Sequence, residues 1–213
     1  MIAEAVSTIP PTRREARRLN RREAILDVAS QSFLENGYAA TTMNAIAATL
    51  GGSKATLWSY FPSKEVLFAA VLDRATSAFR LQLALILTAD DPPEQALRRF
   101  CHGFIERITS PDAIALNRLV IGEVQRFPEI GRIFFERAPE MTRQLLARYL
   151  ADVMAMGLLR QDDPMVAAAQ LTALCHAGSH HRLLLALAEA SCPMQIRTDT
   201  DHAMDIFMRA YAV

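Results

Sequence analysis

The stretch that decides the fold is TMNAIAATLGGSKATLWSYFPSKE, residues 42–65. Thr42 is a typical N-cap, and the apolar residues after it recur at helical spacing. Gly51 allows the positive φ that a tight turn requires. Ser53 can then cap a second short helix, which the following Phe-Pro pair ends. Two short helices joined by a glycine turn predict a helix-turn-helix unit at residues 43–62.

One further helix is predicted before this unit. It can begin at Thr12 or at Asn20, because each is followed three residues later by a glutamate, the pattern of a capping box. Its apolar face is formed by Ile25, Leu26, Ala29 and Phe33. Gly37 is the expected left-handed residue that stops it.

The chain after the unit also reads as helical, because apolar residues keep their helical spacing and strand signals are almost absent. One helix is predicted from Ser63 to about Thr88. A long apolar helix is predicted from Asp162 to about Ser191, and a last helix from about Asp199. The sequence therefore predicts an all-α protein of about nine or ten helices.

Charge divides the chain unevenly. We expect a basic arm at residues 1–19, a three-helix helix-turn-helix domain at residues 20–65 and a larger helical domain at residues 66–213. The net charge is zero, yet residues 1–64 carry eight Lys or Arg against five Asp or Glu. A basic end beside an acidic remainder indicates a polyanionic partner, although a merely solvated arm is the alternative reading.

Composition excludes several classes of protein. No apolar run approaches the roughly 18 residues that span a bilayer, and no signal peptide is evident at the N-terminus. The three cysteines are scattered, which fits neither a disulfide framework nor a zinc site. We expect a cytoplasmic protein without a membrane partner, cofactor or metal.

The exposed side of the third helix predicts contacts with DNA. Base edges can be read by side chains with donors, acceptors or apolar surface, here Lys54, Thr56, Trp58 and Ser59. The phosphate backbone can be held by Thr42, Tyr60 and Lys64. The arginines Arg17, Arg18 and Arg21 can reach along the backbone or into a neighbouring minor groove. The alternative is a small helical packing unit that happens to contain Lys and Thr.

Two segments, GYAATTMNAIA at residues 37–47 and GGSKATLWSYFPSKE at residues 51–65, resemble the TetR/AcrR family of bacterial regulators. The resemblance implies that the third helix enters the major groove of DNA. It also implies that phosphate or sugar is gripped at the positions of Thr42, Lys54, Tyr60 and Lys64.

The chain departs from the family pattern at two positions. Gly52 stands where the family usually has a small branched apolar residue, which should loosen the unit slightly. Trp58 stands where tyrosine is commoner, and this affects the base preference rather than DNA binding itself.

The segment RLVIGEVQRFPEI, residues 118–130, resembles the AefR-like subgroup of the family's C-terminal domains. That resemblance implies a small-molecule pocket and a dimer interface without naming a ligand. Polar residues inside apolar helical stripes are the candidates for ligand contact: Gln82, Asn117, Thr142 and Tyr149. Each could instead be a core polar group bonded to a backbone carbonyl.

The predicted helix from Asp162 has two apolar faces, and a helix with one wet side needs only one. We therefore expect the second face to meet a partner subunit through His176, His180, Leu183, Leu184 and Leu187. The two histidines, spaced four residues apart, could also chelate a metal, but no third ligand stands beside them.

Taken together, these features predict a DNA-binding transcription regulator. By family frequency it is a homodimeric repressor that binds a palindromic operator and is released by a small-molecule effector. One alternative is a helical hydrolase that uses His176 and His180 with a metal, or a Cys/His nucleophile, but no convergent base, nucleophile and orienting acid is found. A protein-only adaptor is another, and it should not bind heparin.

Overall fold

The computed structural model describes residues 12–51, 54–88 and 91–213, and throughout these ranges the chain forms helices joined by short turns and no strand. This confirms the all-α prediction. The helical segments are α1 (Arg13–Ala40), α2 (Met43–Thr49), α3 (Lys54–Tyr60), α4 (Lys64–Ile86), α5 (Pro93–Ile108), α6 (Pro111–Glu123), α7 (Pro128–Arg137), α8 (Pro139–Ala155), α9 (Pro164–His176), α10 (Ser179–Leu184) and α11 (Pro193–Tyr211). Within the described ranges, none of these helices is long and apolar enough to cross a membrane.

The first helix begins at the earlier of its two predicted caps. The Thr12 hydroxyl accepts a hydrogen bond from the Glu15 N–H, and the Glu15 carboxylate accepts one from the Thr12 N–H in return. Residues 13–19 of the predicted arm are therefore helical, while residues 1–11 lie outside the described residues. Gly37 has φ 80°, so the positive φ expected there is present and kinks the end of α1.

The chain divides into two compact units, Met1–Phe68 and Ala69–Val213. The core of the first unit is aromatic: Phe33, Tyr38 and Phe68 are all buried. The Phe33 ring stacks on Tyr38 at 5.7 Å between centroids, and both rings meet the edge of Phe68 at 5.1 and 5.3 Å. Aromatic contacts of this kind add about 0.5–1.5 kcal/mol each beyond their buried area.

The second unit is built around α5, α8, α9 and α11, which pack on one another. Its core includes the fully buried Phe100, Leu150, Leu171 and Phe207, one from each of these helices. Burial of one such side chain stabilises the unit by roughly 1.5–3 kcal/mol.

The prediction of one continuous helix from Asp162 to Ser191 was wrong. Helix α9 ends at His176 and α10 starts at Ser179, with Gly178 between them. The Asp199 carboxylate of α11 occupies the space where a side chain at position 178 would stand, and it accepts the Ser179 N–H at 2.8 Å. A tertiary contact therefore ends the helix here.

The last helix also starts earlier than predicted. Pro193 was expected to break the chain before a helix from about Asp199, but it is the first residue of α11. Proline suits this position because its missing N–H would have no helical partner there and its fixed φ is already helical.

Candidate nucleic-acid interface and internal cavity

Helix α3 presents one face to the interior and the other to solvent. Leu57 is buried in the unit, where α3 packs against α2. Lys54 and Ser59 are exposed, and 45% of the large Trp58 side chain is exposed. An exposed indole on a helix that also carries a lysine offers DNA both apolar surface and positive charge.

The two hydroxyl residues of α3 differ in what they can still offer. The Ser59 hydroxyl donates to the Thr56 carbonyl at 2.7 Å, so its proton is used and its lone pairs remain. Thr56 is only half-exposed, while Ser59 lies open to solvent. Direct reading of a base by Thr56 stays a prediction.

The start of α2 is built as the sequence predicts. The Thr42 hydroxyl accepts the Ala45 N–H at 3.1 Å, and Thr42 remains exposed. The Ser63 hydroxyl makes the equivalent bond to the Val66 N–H at 3.3 Å before α4. The predicted Ser53 cap and the Gly52 departure both fall on residues that the structure does not describe.

Lys64 stabilises the end of α1, a role that the sequence did not predict. Its ammonium donates to the backbone carbonyls of Tyr38 at 2.8 Å and Thr41 at 3.1 Å, and it lies 4.1 Å from the centre of the Tyr38 ring. Two of its three N–H donors are thus used on the end of α1. The same lysine was predicted to hold phosphate, and these bonds leave less of it for that role.

Arginines of α1 lie against α2 and the region around α3. The Arg18 guanidinium sits 6.0 Å from the centre of the Tyr60 ring, and Arg21 donates to the Leu50 carbonyl at 3.5 Å. Arg22, which was not among the predicted contact residues, lies 5.5 Å from the Phe61 ring centre. Arg17 is exposed. The structure thus brings Arg18 and the half-buried Tyr60 together, beside the exposed face of α3.

A cavity lies within the second unit, between α4, α5, α6, α7, α8 and α9. The cavity has a volume of about 110 Å³. Two of the four residues predicted to contact a ligand, Asn117 and Thr142, line this cavity. Both also bond a backbone carbonyl one turn earlier: Asn117 that of Ala113 at 2.9 Å, and Thr142 that of Ala138 at 3.0 Å.

The other two predicted ligand residues do not line this cavity. Gln82 is exposed, so its placement inside the apolar stripe of α4 was wrong. Tyr149 is buried within α8, where its hydroxyl has no hydrogen-bond partner among the described residues. Burial raises the pKa of the Tyr149 phenol, because the ionised form would lose its hydration.

His176 was expected at a subunit interface, but it lines the cavity. Its Nδ1 lies 2.7 Å from the Thr172 carbonyl, which can only accept, so Nδ1 carries the proton in the neutral ring. Burial lowers the pKa of His176 and keeps the ring neutral. His176 lines the same cavity as Asn117 and Thr142 because three separate helices pack together there. The sequence does not show that packing.

The remaining residues predicted for the dimer interface are placed differently from one another. His180 and Leu183 are 6% and 3% exposed within the single chain, so their burial needs no partner subunit, contrary to the sequence argument. Leu184 is half-buried, and Leu187 is 67% exposed. The rings of His176 and His180 lie 4.6 Å apart, and across the described ranges no group of three metal-ligating residues occurs.

Comparison with known proteins covers both units. The family model of bacterial regulatory proteins of the tetR family matches residues 25–71. The model of the AefR-like transcriptional repressor C-terminal domain matches residues 95–213, more than half of the chain. Both resemblances seen in the sequence are confirmed.

Similar individual proteins support the same family assignment. The nucleoid occlusion factor SlmA of Pectobacterium carotovorum subsp. carotovorum is 29% identical over 167 residues, which cover 76% of this chain and 82% of that protein. A TetR-family transcriptional regulator from Mesorhizobium loti has the same fold, with a TM-score of 0.81 at 24% identity over 95% of this chain and 100% of that one. The flavonoid-responsive regulator FrrA has a TM-score of 0.76 at 32% identity, over 91% of this chain and 97% of its own. The chain therefore belongs to the TetR family of DNA-binding transcriptional regulators, with a C-terminal domain of the AefR-like kind.

Proposed function

We propose that this protein is a homodimeric repressor that binds a palindromic operator in the bacterial cytoplasm and leaves it when a small molecule enters the cavity of the second unit. The observation that carries the DNA part is α3, a short helix held inward by Leu57 that turns Lys54 and Trp58 outward. A helix of this kind, second in a helix-turn-helix, suits the major groove.

The dimer is proposed because one helix-turn-helix contacts only a few base pairs. A single helix-turn-helix contacts too few base pairs to select one site in a genome, so two copies on a palindrome are expected. Among the residues predicted for the interface, Leu187 is the one left widely exposed, and the neighbouring Leu185 and Met194 are 62% and 69% exposed. Apolar side chains in one stretch are costly to leave in water, which favours cover by a second subunit.

The effector part rests on the cavity. It combines an apolar lining with a few polar groups, Asn117, Thr142 and His176 among them, which is typical of small-molecule sites. One of the similar proteins of solved structure, FrrA, is a flavonoid-responsive regulator. A ligand that binds the free protein better than the DNA-bound form would shift the equilibrium away from the operator.

Selection of bound fragments from fragmented genomic DNA by the purified protein tests the proposal. We expect a recovered motif with two inverted half-sites spaced about one helical turn apart. Trp58→Ala and Thr56→Ala, run in parallel, should change the preferred bases while the two-fold symmetry stays. Recovery of no motif at low salt would contradict sequence-specific DNA binding, and recovery of a single half-site would contradict the dimer.

A further inference from the structure

One arginine borders the cavity without an ion-pair partner among the described residues. Arg107 lines it and donates to the Ser110 hydroxyl and to the Ala75 carbonyl, each at 3.0 Å. Among the residues that the structure describes, no carboxylate forms an ion pair with Arg107. A guanidinium has five N–H donors, and these two bonds use two of them.

Two further arginines lie on helices that border the cavity, although neither lines it. Arg80 donates to the hydroxyl of Thr76, a cavity residue, and to the Arg137 carbonyl at 3.1 Å. Arg143 lies 5.5 Å from the Phe135 ring centre, and its charge adds to the lowering of the His176 pKa that burial mainly causes. Neither forms an ion pair with a carboxylate of the described chain.

One carboxylate near the cavity is already paired. Asp73 is bound to the Arg137 guanidinium, and this pair holds the pKa of Arg137 above its usual value. Arg107 therefore borders a largely apolar space without an ion-pair partner among the residues that the structure describes. In such a setting an anion is attracted more strongly than in water, because less solvent screens the charges.

The remaining lining fits a flat ring. Phe79, Phe104 and Phe134 border the cavity, and the Phe79 and Phe104 rings are roughly parallel at 6.4 Å between centroids. Asn117 uses one N–H of its amide on the Ala113 carbonyl and keeps the second. The site thus offers aromatic surface, one amide donor and one guanidinium.

We propose that the cavity binds a planar aromatic compound with a single acidic group and holds it as the anion, with Arg107 as counter-ion. The shared chemistry is an aromatic ring that bears one negative oxygen group, which a phenolate or an aromatic carboxylate can supply. The inference rests on the proposed function in one respect: such a compound is then the effector that releases the protein from DNA.

The nitrophenol 4-nitrophenol tests this directly, because its ionised form is coloured and its neutral form is not. At the pH where the free probe is half ionised, added protein should raise the phenolate absorbance, since the cavity favours the anion. The methyl ether 4-nitroanisole, which cannot ionise, should bind about tenfold or more weakly, the scale of one charge-assisted hydrogen bond. An arm with 4-nitrobenzoate shows whether a carboxylate is held as well as a phenolate.

Variants assign the effect to one residue. Arg107→Met should weaken nitrophenol binding about tenfold or more and abolish the absorbance rise, while Arg107→Lys should retain part of both. Arg209→Met, which removes an exposed arginine of α11 paired only along its own helix, is the matched control and should change neither. Unfolding curves of each variant show whether it is folded, and the wild-type spectrum decides the anion preference without any variant.

Three results would overturn the proposal. They are a fall in phenolate absorbance on binding, equal affinity for nitrophenol and nitroanisole, or no binding of either anionic probe. Operator binding without probe is measured separately. A protein that binds its operator but none of the probes refutes this inference alone, whereas one that binds no DNA refutes the proposed function.

Discussion

Lys64 holds Tyr38 from two sides: its ammonium donates to the Tyr38 carbonyl at 2.8 Å and lies 4.1 Å from the centre of the Tyr38 ring. Tyr38 is buried against Phe33 and Phe68, so this contact joins the start of α4 to the aromatic core of the first unit. The hydroxyl of Tyr38 in turn lies 3.4 Å from the Glu65 carboxylate, whose pKa is lowered mainly by the Ser63 hydroxyl.

Lys64→Met should therefore destabilise the first unit. The two backbone carbonyls lose a charged donor and the ring loses its cation, which together cost about 1–3 kcal/mol of unfolding free energy. Trp58, the only tryptophan of the chain, lies in this unit, so urea denaturation followed by its fluorescence measures the change.

Lys54→Met is the matched control and should behave in the opposite way. Lys54 is exposed on α3, so its loss should leave the urea midpoint unchanged. It should lower DNA affinity and reduce the slope of log K against log salt by about 1 per half-site. An unchanged salt slope for Lys54→Met would mean that Lys54 does not contact DNA. An unchanged urea midpoint for Lys64→Met would mean that Lys64 does not stabilise the first unit.

Replacing Gly178 with alanine should destabilise the second unit. A Cβ there would meet the Asp199 carboxylate, which would have to give up its bonds to Ser179, at a cost of about 1–3 kcal/mol. Gly103→Ala, inside α5 with open space around its Cβ position, should instead stabilise by about 0.5–1 kcal/mol. Thermal unfolding of both variants checks the opposite signs, and a neutral Gly178→Ala would show that the α9–α10 break does not depend on this contact.

Acid should weaken the fold through His180. Both ring nitrogens of His180 are buried and have no hydrogen-bond partner within the part of the chain that the structure describes. Burial, aided by His176 and His181, lowers the pKa of His180 from 6.5 to about 4. Well above pH 6.5 the ring is neutral in both states and has no effect. As the pH falls through 6.5 the unfolded chain takes up the proton first, so stability decreases until the pH reaches about 4, by roughly 1–2 kcal/mol once solvent screening is allowed for.

His180→Phe should flatten this part of the pH profile. His202→Phe is the control, because His202 is exposed on α11 and should leave the profile unchanged. Urea midpoints between pH 7 and pH 4 give the comparison. The same slope in wild type and His180→Phe would mean that another group causes the acid sensitivity.

The dimer interface can be tested at Leu187. Leu187→Asp places a charge at an exposed apolar site and should give a folded monomer, or an aggregating protein, with much weaker operator binding. Leu85→Asp is the matched control, since Leu85 of α4 is 79% exposed and lies outside the predicted interface. Sedimentation at micromolar concentration decides, and a monomeric wild type that still binds a palindromic site tightly would contradict the dimer.

The sequence by itself determined the class of fold, the helix-turn-helix and the family. Helix periodicity, caps such as Thr12 and Thr42 and the turn at Gly37 are local signals, because each depends on residues within about one helical turn. The exposed face of α3 also followed from local pattern, since Leu57 points inward and Lys54 outward on one short helix.

Only the tertiary structure decided the rest. Helix α9 stops because Asp199, about twenty residues later in the chain, fills the place beside Gly178, and no local pattern contains that contact. For the same reason the sequence did not reveal that His176 lines the cavity instead of a subunit interface. It also did not reveal that Lys64 bonds the Tyr38 and Thr41 carbonyls. Periodicity shows which residues share a helix face, but which neighbour covers that face depends on how separate helices pack.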